Sequence, residues 1–201
     1  MKYFCVGYYK TGTSSYSRAM RMLGLVDLHF PRRYAKSLID AGRPVTWDAC
    51  PWDSMSNLHE SIDEIVELQS LYPDARFVLT TRNVDAWLRS IDAHMATPWG
   101  PELQSLFDAR FQKLFGIDCA VGQYDARALR DAFAQHDAQV RDYFGDDLCV
   151  LDLDSGADLM QKLSAFVGRT AQYPRVNKTA ADSAAGEAVT VNIRQQYSEA
   201  V

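Results

Sequence analysis

The sequence predicts an α/β fold in which a mostly parallel sheet carries helices on both faces, giving three layers. Short apolar segments alternate with longer amphipathic ones, and the apolar segments are nearly continuous instead of alternating with polar residues. Strands that are buried on both faces have this continuous pattern. A length of 201 residues suits one domain, so we expect a single domain over 1–201 whose last part, from about 170 to 201, forms a loop and an arm.

In the first half of the chain, periodicity and capping residues divide the sequence into elements. An apolar run near the amino terminus indicates a strand, and the helical periodicity that follows it ends before Gly24. Ser56 precedes another helical stripe and is expected to cap it. The predicted elements are a strand at 3–6, a helix at 13–23, an irregular basic segment at 26–44, a strand at 45–47 and a helix at 56–71.

The second half continues the alternation. Pro73 and Asp74 form a turn in front of the β-rich run "RFVLTT", and "LCVLDL" is a further buried-strand pattern. The predicted elements are strands at 77–81 and 148–153 and helices at 85–94, 101–115, 126–144 and 157–167.

The composition is that of a globular protein, with 47% hydrophobic and 23% charged residues. The net charge of −5 argues against nucleic acid or an anionic membrane surface as the partner. No apolar stretch reaches the ~20 residues that span a bilayer. The four cysteines are scattered, without a C-x-x-C pair, and no signal-peptide pattern opens the sequence. We therefore expect reduced thiols in a cytoplasmic protein that has no metal site.

The segment "FCVGYYKTGTSS" at 4–15 carries the strongest functional signal. Gly7 and Gly12 have the spacing G-x-x-x-x-G, and they lie between a predicted strand and a predicted helix. In that setting the backbone N–H groups of the loop and of the helix amino terminus converge on an anion. The sequence therefore predicts a phosphate-binding loop.

This loop departs from the pattern of nucleotide kinases. Those enzymes use G-x-x-x-x-G-K-[ST], whereas Thr13 stands at the lysine position here and the lysine lies upstream as Lys10. The predicted strand at 77–81 ends in Arg82, which would repel a metal cation and attract a second anion. These departures disfavour an ATP- and magnesium-dependent small-molecule kinase without excluding it.

Two segments resemble the sulfotransferases that use 3′-phosphoadenosine 5′-phosphosulfate (PAPS). "YYKTGTSS" is similar to their 5′-phosphosulfate loop, and "ARFVLTTRNVDAWLRS" is similar to their 3′-phosphate segment, with Arg82 and Ser90 at the family's spacing. "CVLDLDSGADLMQKLSAFVG" and "YPRVNKT" resemble later segments of the family. The likeness spans 3–178, and the short chain looks like a compact relative of the carbohydrate and bacterial branches.

The resemblance implies a P-loop-like sulfotransferase architecture, PAPS as the donor, adenosine 3′,5′-bisphosphate as the product and no required metal. It places Arg82 and Ser90 at the 3′-phosphate and Arg175 in a late basic loop over the donor. Lys10 would reach the bridging oxygen on which charge grows. The residues implied around the 5′-phosphosulfate are Lys10, Thr11, Gly12, Thr13, Ser14 and Ser15.

The family also implies a His, Glu or Asp base between its two phosphate motifs. Asp48 is favoured because it follows the predicted strand at 45–47, where active-site side chains lie in parallel sheets. Asp53 and His59 remain alternatives. The other histidines show no partner pattern and are predicted to be structural: His29, His94 and His136.

Three functions follow, in order of preference. The first is direct in-line sulfuryl transfer to a hydroxyl or amine of a small-molecule or carbohydrate acceptor, whose identity stays open, as does the oligomeric state. The second is the kinase. The third, a non-catalytic sulfotransferase-like binding protein, is disfavoured because Lys10, Thr13, Arg82 and Ser90 are all present.

Overall fold

The computed structural model of the chain describes residues 1–29, 31, 52–58, 61–96, 112 and 124–170. Strands and helices alternate along these residues, as the sequence predicts. The elements are β1 (Tyr3–Cys5), α1 (Thr13–Met22), β2 (Asp27–His29), β3 (Ser54–Ser56), α2 (Ile62–Leu71), β4 (Arg76–Thr81), α3 (Val84–Met95), α4 (Ala126–Phe144), a 3-10 turn (Gly145–Asp147), β5 (Cys149–Asp152) and α5 (Leu159–Val167).

All five of these strands are parallel, and their order across the sheet is β2-β3-β1-β4-β5. The chain runs from the central β1 to one side of the sheet, and then crosses to the other side between β3 and β4. The carboxyl ends of β1 and β4 therefore flank the point at which the direction of winding changes. Ligands of open parallel sheets bind at such a point, so the loops after β1 and β4 are the expected site.

Buried side chains cover both faces of the sheet. Successive residues of β1 and β4 point to opposite faces, which separates the core into two main clusters. One cluster packs the sheet against α2 and α4 and includes Phe4, Phe77, Leu79, Ile65 and Val140. The other packs it against α1 and α5 and includes Cys5, Val78, Leu151, Met20 and Leu163. The predicted three-layer α/β fold is confirmed.

Most predicted elements agree with the structure. The predicted strands at 3–6, 77–81 and 148–153 and the helices at 13–23, 85–94, 126–144 and 157–167 are each confirmed to within two residues at either end. The predicted strand at 45–47 and the arm after 170 lie outside the described residues, as does the helix predicted at 101–115 apart from residue 112.

Two predictions in the first half are wrong. The helix predicted at 56–71 begins only at Ile62, where Ser61 and Glu64 form a reciprocal capping box. Ser56, the predicted cap, ends strand β3. The segment predicted to be irregular at 26–44 contains β2, which pairs with β3 at the edge of the sheet.

The two strands that the sequence did not predict, β2 and β3, are short, and polar residues occupy most of their positions. Ser54 and Ser56 are fully buried, and hydrogen bonds between side chains satisfy them. The Tyr16 hydroxyl lies 2.9 Å from Ser54 Oγ, and Ser56 Oγ donates to Asp27 Oδ2 at 2.6 Å. Because partners distant in the chain take the place of apolar packing, these strands leave no apolar run in the sequence.

Within the described ranges, no helix has the length and apolar character needed to cross a membrane. Cys5 and Cys149 are buried free thiols, and burial raises the pKa of Cys5 to about 12. The Cys5 thiol therefore behaves as a small core residue.

Candidate active site

The two glycines of the β1–α1 loop allow it to lie tightly against β4 and the segment after β5. A Cβ on Gly7 would stand 2.2 Å from both the carbonyl oxygen and Oγ1 of Thr80. Gly12 has φ +95°, and a Cβ there would lie 2.8 Å from Leu153 Cδ1. The spacing of these glycines therefore reflects close backbone approach at one end of the loop and a left-handed turn into α1 at the other.

Thr11 holds the loop in shape from inside. Its buried Oγ1 donates to the carbonyl of Tyr8 and lies 2.9 Å from Thr80 Oγ1. Its backbone N–H also donates to Tyr8 O, at 3.2 Å. Both donors of Thr11 are thus used within the protein, so these contacts favour a loop-shaping role over the predicted direct phosphate contact.

Lys10 and Arg82 come together at the carboxyl ends of β1 and β4. Lys10 has a left-handed backbone with φ +66°, and its carbonyl accepts a hydrogen bond from Arg82 Nη1 at 3.4 Å. The Nε of Arg82 is buried and has no hydrogen-bond partner among the described residues. A buried guanidinium N–H without a partner is rare, and a phosphate or sulfonate oxygen would satisfy it.

The amino end of α1 is open to an anion. Helices α2 to α5 of the described residues each carry a side chain that caps their first turn: Ser61, Asn83, Asp125 and Asp158. Helix α1 instead begins after Gly12, which supplies no side-chain cap, and no acidic residue lies in its first turn. The N–H groups of Thr13, Ser14 and Ser15 are therefore oriented to bind an anionic group.

Helices α3 and α4 fix the loop from the other side. Trp87 Nε1 donates to the carbonyl of Tyr9 at 2.9 Å, and the His136 ring donates from Nε2 to the carbonyl of Val6 at 2.8 Å. His136 also stacks on Tyr8 with ring centroids 4.0 Å apart. Trp87 is fully buried, so it supports the loop from the core.

The segment after β4 is held by the turn after β5. The backbone N–H of Asn83 donates to Asp154 Oδ2 at 2.6 Å, and the N–H of Asp154 donates to Asp152 Oδ1 at 3.0 Å. Ser90 is half-buried on α3, and its hydroxyl makes no hydrogen bond to the described residues. Arg82 and Ser90 thus lie on consecutive elements, and their joint contact with a 3′-phosphate stays a prediction.

The profile of the sulfotransferase domain family matches residues 2–181. The chain belongs to this family. The match includes the β1–α1 loop and the segment from β4 into α3, and it confirms the family resemblance. Membership supports sulfuryl transfer as the class of reaction. A search of curated proteins found no match.

The base candidates of this sulfotransferase domain differ in what the structure describes of them. Asp53 precedes β3 at the amino edge of the sheet, opposite to the β1–α1 loop, and its Oδ2 accepts a hydrogen bond from Val26 N–H at 2.8 Å. That position counts against Asp53 as the base. Asp48 and His59 lie outside the described residues, as does Arg175.

His29 lies beside the candidate site, a position that sequence reasoning did not reveal. It ends β2, with its Nε2 3.3 Å from Ser14 Oγ and its Nδ1 2.7 Å from Ser56 Oγ. His29 was predicted to be structural; the structure adds its contact with the first turn of α1. Its partners are 15 and 27 residues away in the chain, so no local pattern reveals them.

His94 lies on the Lys10 side of the loop. Burial lowers the pKa of His94, and the positive charge of Lys10 lowers it further. The ring also lies edge-on to Tyr9 at 6.2 Å between centroids. The ionisation of His94 therefore reports on the charge of Lys10.

Acid should destabilise this domain through its buried histidines. Burial lowers the pKa of His136, so the folded state disfavours the imidazolium that the unfolded chain forms below pH ~6.5. Stability is then present above that pH and is lost as the pH falls toward the folded pKa, by at most about 1.4 kcal/mol per pH unit for each proton. Urea unfolding at pH 7.5 and 5.0 should show a lower midpoint at pH 5.0.

The matched variant is His136→Gln, which keeps an N–H donor but cannot titrate. Its urea unfolding midpoint should fall less between pH 7.5 and pH 5.0 than that of the wild type. Because burial also lowers the pKa of His29, some dependence of stability on pH is expected to remain in the variant. If stability depended on pH as strongly in His136→Gln as in the wild type, His136 would not be a cause of the acid destabilisation.

Proposed function

We propose that the chain is a PAPS-dependent sulfotransferase that moves the sulfuryl group to a hydroxyl, or less often an amine, by direct in-line displacement. The acceptor is a small molecule or a carbohydrate. The observation that carries the proposal is the meeting of Lys10, the unpartnered Nε of Arg82 and the uncapped amino end of α1 at one point of the sheet.

The residues present fit this donor. PAPS supplies a sulfuryl group on a leaving group that bears two separate phosphates, so it calls for two anion sites on neighbouring loops. The first-turn amides of α1 suit the 5′-phosphosulfate, and the guanidinium of Arg82 suits the 3′-phosphate. Ser90 is proposed to join Arg82 there. Arg175 is proposed to close over the donor.

Sulfuryl transfer depends on positioning and charge stabilisation more than on covalent chemistry by the protein. Lys10 is proposed to stabilise the charge that grows on the bridging oxygen as the S–O bond breaks. Its left-handed backbone and the hydrogen bond from Arg82 fix the start of that side chain. We propose that the reaction needs no metal, because Arg82 at the end of β4 would repel a metal cation there.

Calorimetry with adenosine 3′,5′-bisphosphate and with ATP plus magnesium tests the donor. The bisphosphate should bind without metal, and more tightly than magnesium–ATP. Binding of magnesium–ATP alone would contradict the proposal and favour the kinase. Binding of the bisphosphate without any transfer would favour the non-catalytic binding protein.

Arg82→Ala should weaken bisphosphate binding by about 10- to 100-fold, because it removes charge-assisted hydrogen bonds worth about 1.5–3 kcal/mol. The control is Arg127→Ala, since the side chain of Arg127 is 90% exposed on α4. The control should bind as the wild type does. Equal affinities of Arg82→Ala and the wild type would remove Arg82 from the site.

A further inference from the structure

A chain of hydrogen bonds runs along one face of β2 and β3 and reaches the amino end of α1. It begins at Asp27, whose side chain is 1% exposed, and passes through Ser56 to His29. From His29 it continues to Ser14 in the first turn of α1. His29 and Ser56 are register partners on adjacent strands, so the sheet itself sets their separation.

The direction of these bonds determines where the imidazole proton lies. Ser56 has one hydroxyl proton, and it donates that proton to Asp27 Oδ2 at 2.6 Å. Ser56 Oγ must then accept the 2.7 Å bond from His29, so Nδ1 carries the hydrogen. In a neutral ring Nε2 is consequently the basic nitrogen, and it faces Ser14.

We propose that His29 is the general base of this sulfotransferase, with its Nε2 taking the proton of the attacking hydroxyl. Ser56 and Asp27 are positioning residues that hold the ring and its tautomer. The inference rests on the proposed function, because it takes the amino end of α1 as the place where the sulfonate binds. It replaces Asp48 as the favoured base.

The step balances without any further reactant. The acceptor oxygen forms a bond to sulfur while the bond from sulfur to the bridging oxygen breaks, and the bisphosphate leaves with that electron pair. The hydroxyl proton moves to His29 Nε2 and gives an imidazolium. Its Nδ1–H continues to donate a hydrogen bond to Ser56 Oγ, and the buried carboxylate of Asp27 offsets the new charge.

The surroundings of the ring suit a base near neutral pH. Burial lowers the pKa of His29, Asp27 raises it, and Arg21 on α1 lowers it. The net effect lowers the pKa of His29, because burial outweighs the attraction of Asp27, and this favours the neutral ring that a base requires. Since imidazolium formation is favoured by Asp27, the same group supports the charged state that follows proton transfer.

The first experiment reads the tautomer by ¹⁵N NMR of the histidine rings in the full chain at pH 8. Wild-type His29 should show Nδ1–H. Ser56→Ala should shift His29 toward Nε2–H, because Nδ1–H loses its acceptor. The control is Ser54→Ala, which removes another buried serine hydroxyl of β3, one bonded to Tyr16. A wild-type ring protonated at Nε2 alone would overturn the proposal.

The second experiment measures single-turnover release of sulfate from PAPS, with water as the acceptor. His29→Gln should lower the rate by about 10²- to 10⁴-fold, and Ser56→Ala by at least about tenfold. Wild-type rates should fall as the pH drops toward the lowered pKa of His29, and His29→Gln should lose this dependence. Asp48→Asn is measured in the same way, because Asp48 is the base that the sequence favours.

Bisphosphate calorimetry separates the two possible failures. If the wild type does not bind the bisphosphate, the proposed function fails and the inference fails with it. If His29→Gln binds it normally and keeps the wild-type rate and pH profile, only the assignment of His29 fails. Loss of release in Asp48→Asn but not in His29→Gln would return the role to Asp48.

Discussion

Replacing Lys10 by methionine is expected to slow sulfuryl transfer by about 10²- to 10³-fold while leaving most of the affinity for adenosine 3′,5′-bisphosphate. The charge on the bridging oxygen develops only as the S–O bond breaks. A cation aimed at that oxygen therefore stabilises the transition state more than the ground state. Arg82 and the amides of α1, which are proposed to bind phosphate in both states, are unchanged in the variant.

The choice of methionine keeps the test specific to charge. Lys10 has φ +66°, and any L-residue at this position carries a similar backbone cost, so the variant does not relax the loop. The hydrogen bond that Arg82 donates uses the carbonyl of residue 10, which the substitution keeps. The unbranched side chain also fills much of the same space.

Single-turnover release of sulfate from PAPS measures the effect, and calorimetry measures binding. The control is Lys162→Met, which removes a positive charge from an exposed position on α5. NMR titration gives an independent reading, because the pKa of His94 should rise when the charge of Lys10 is lost. A Lys10→Met enzyme with the full wild-type rate would contradict the proposed mechanism.

The sequence predicted the parts of the site that depend on neighbours in the chain. Gly7, Gly12 and Lys10 occur within one short loop, and the strand that leads into it is a continuous apolar run. Arg82 directly follows a second such strand. Local spacing therefore sufficed to place two candidate anion-binding elements at the same edge of a parallel sheet.

The parts that were missed depend on partners far apart in the sequence. Strands β2 and β3 are built from polar residues such as Asp27, His29 and Ser56, which become suitable for burial only when they bond to one another. Neither strand can therefore be recognised from its own short sequence. The proposed role of His29 could be inferred only once the register of β2 and β3 was known.

Thr11 shows the same limit in the opposite direction. The resemblance implied that the backbone N–H of Thr11 contacts the 5′-phosphosulfate, yet that N–H donates to Tyr8 O, and its hydroxyl turns inward to Tyr8 and Thr80. Sequence spacing identifies which residues share a loop. It does not reveal which of them face the ligand and which face the core, because that depends on the strand packed behind the loop.

Gly7→Ala should lower the free energy of unfolding by about 3 kcal/mol or more and should also weaken bisphosphate binding. The new Cβ would lie 2.2 Å from the carbonyl oxygen of Thr80 and 2.9 Å from Thr11 Oγ1. The carbonyl belongs to β4, which is paired with β1 on one side and β5 on the other, so it cannot move without disturbing strand pairing. The loop must shift instead, and it would carry Lys10 away from Arg82.

Urea unfolding and calorimetry of the variant measure the two effects. The control is Gly156→Ala, where φ is +69° but nothing lies within 4 Å of the added Cβ. Its left-handed backbone alone should cost about 1–2 kcal/mol and leave bisphosphate binding intact. If Gly7→Ala matched this control in stability and binding, the loop would not lie against β4 as described.

A double variant identifies which atom of Thr80 opposes the new methyl group. Thr80→Ala removes Oγ1, which lies 2.2 Å from the added Cβ, but leaves the carbonyl oxygen at the same distance. Thr80→Ala should therefore fail to rescue Gly7→Ala, although the two residues touch and their effects are expected to couple. Full rescue would show that the side chain alone sets the limit. Failure of rescue would mean that the backbone of β4 requires glycine at position 7, and that the sheet itself determines where the β1–α1 loop begins.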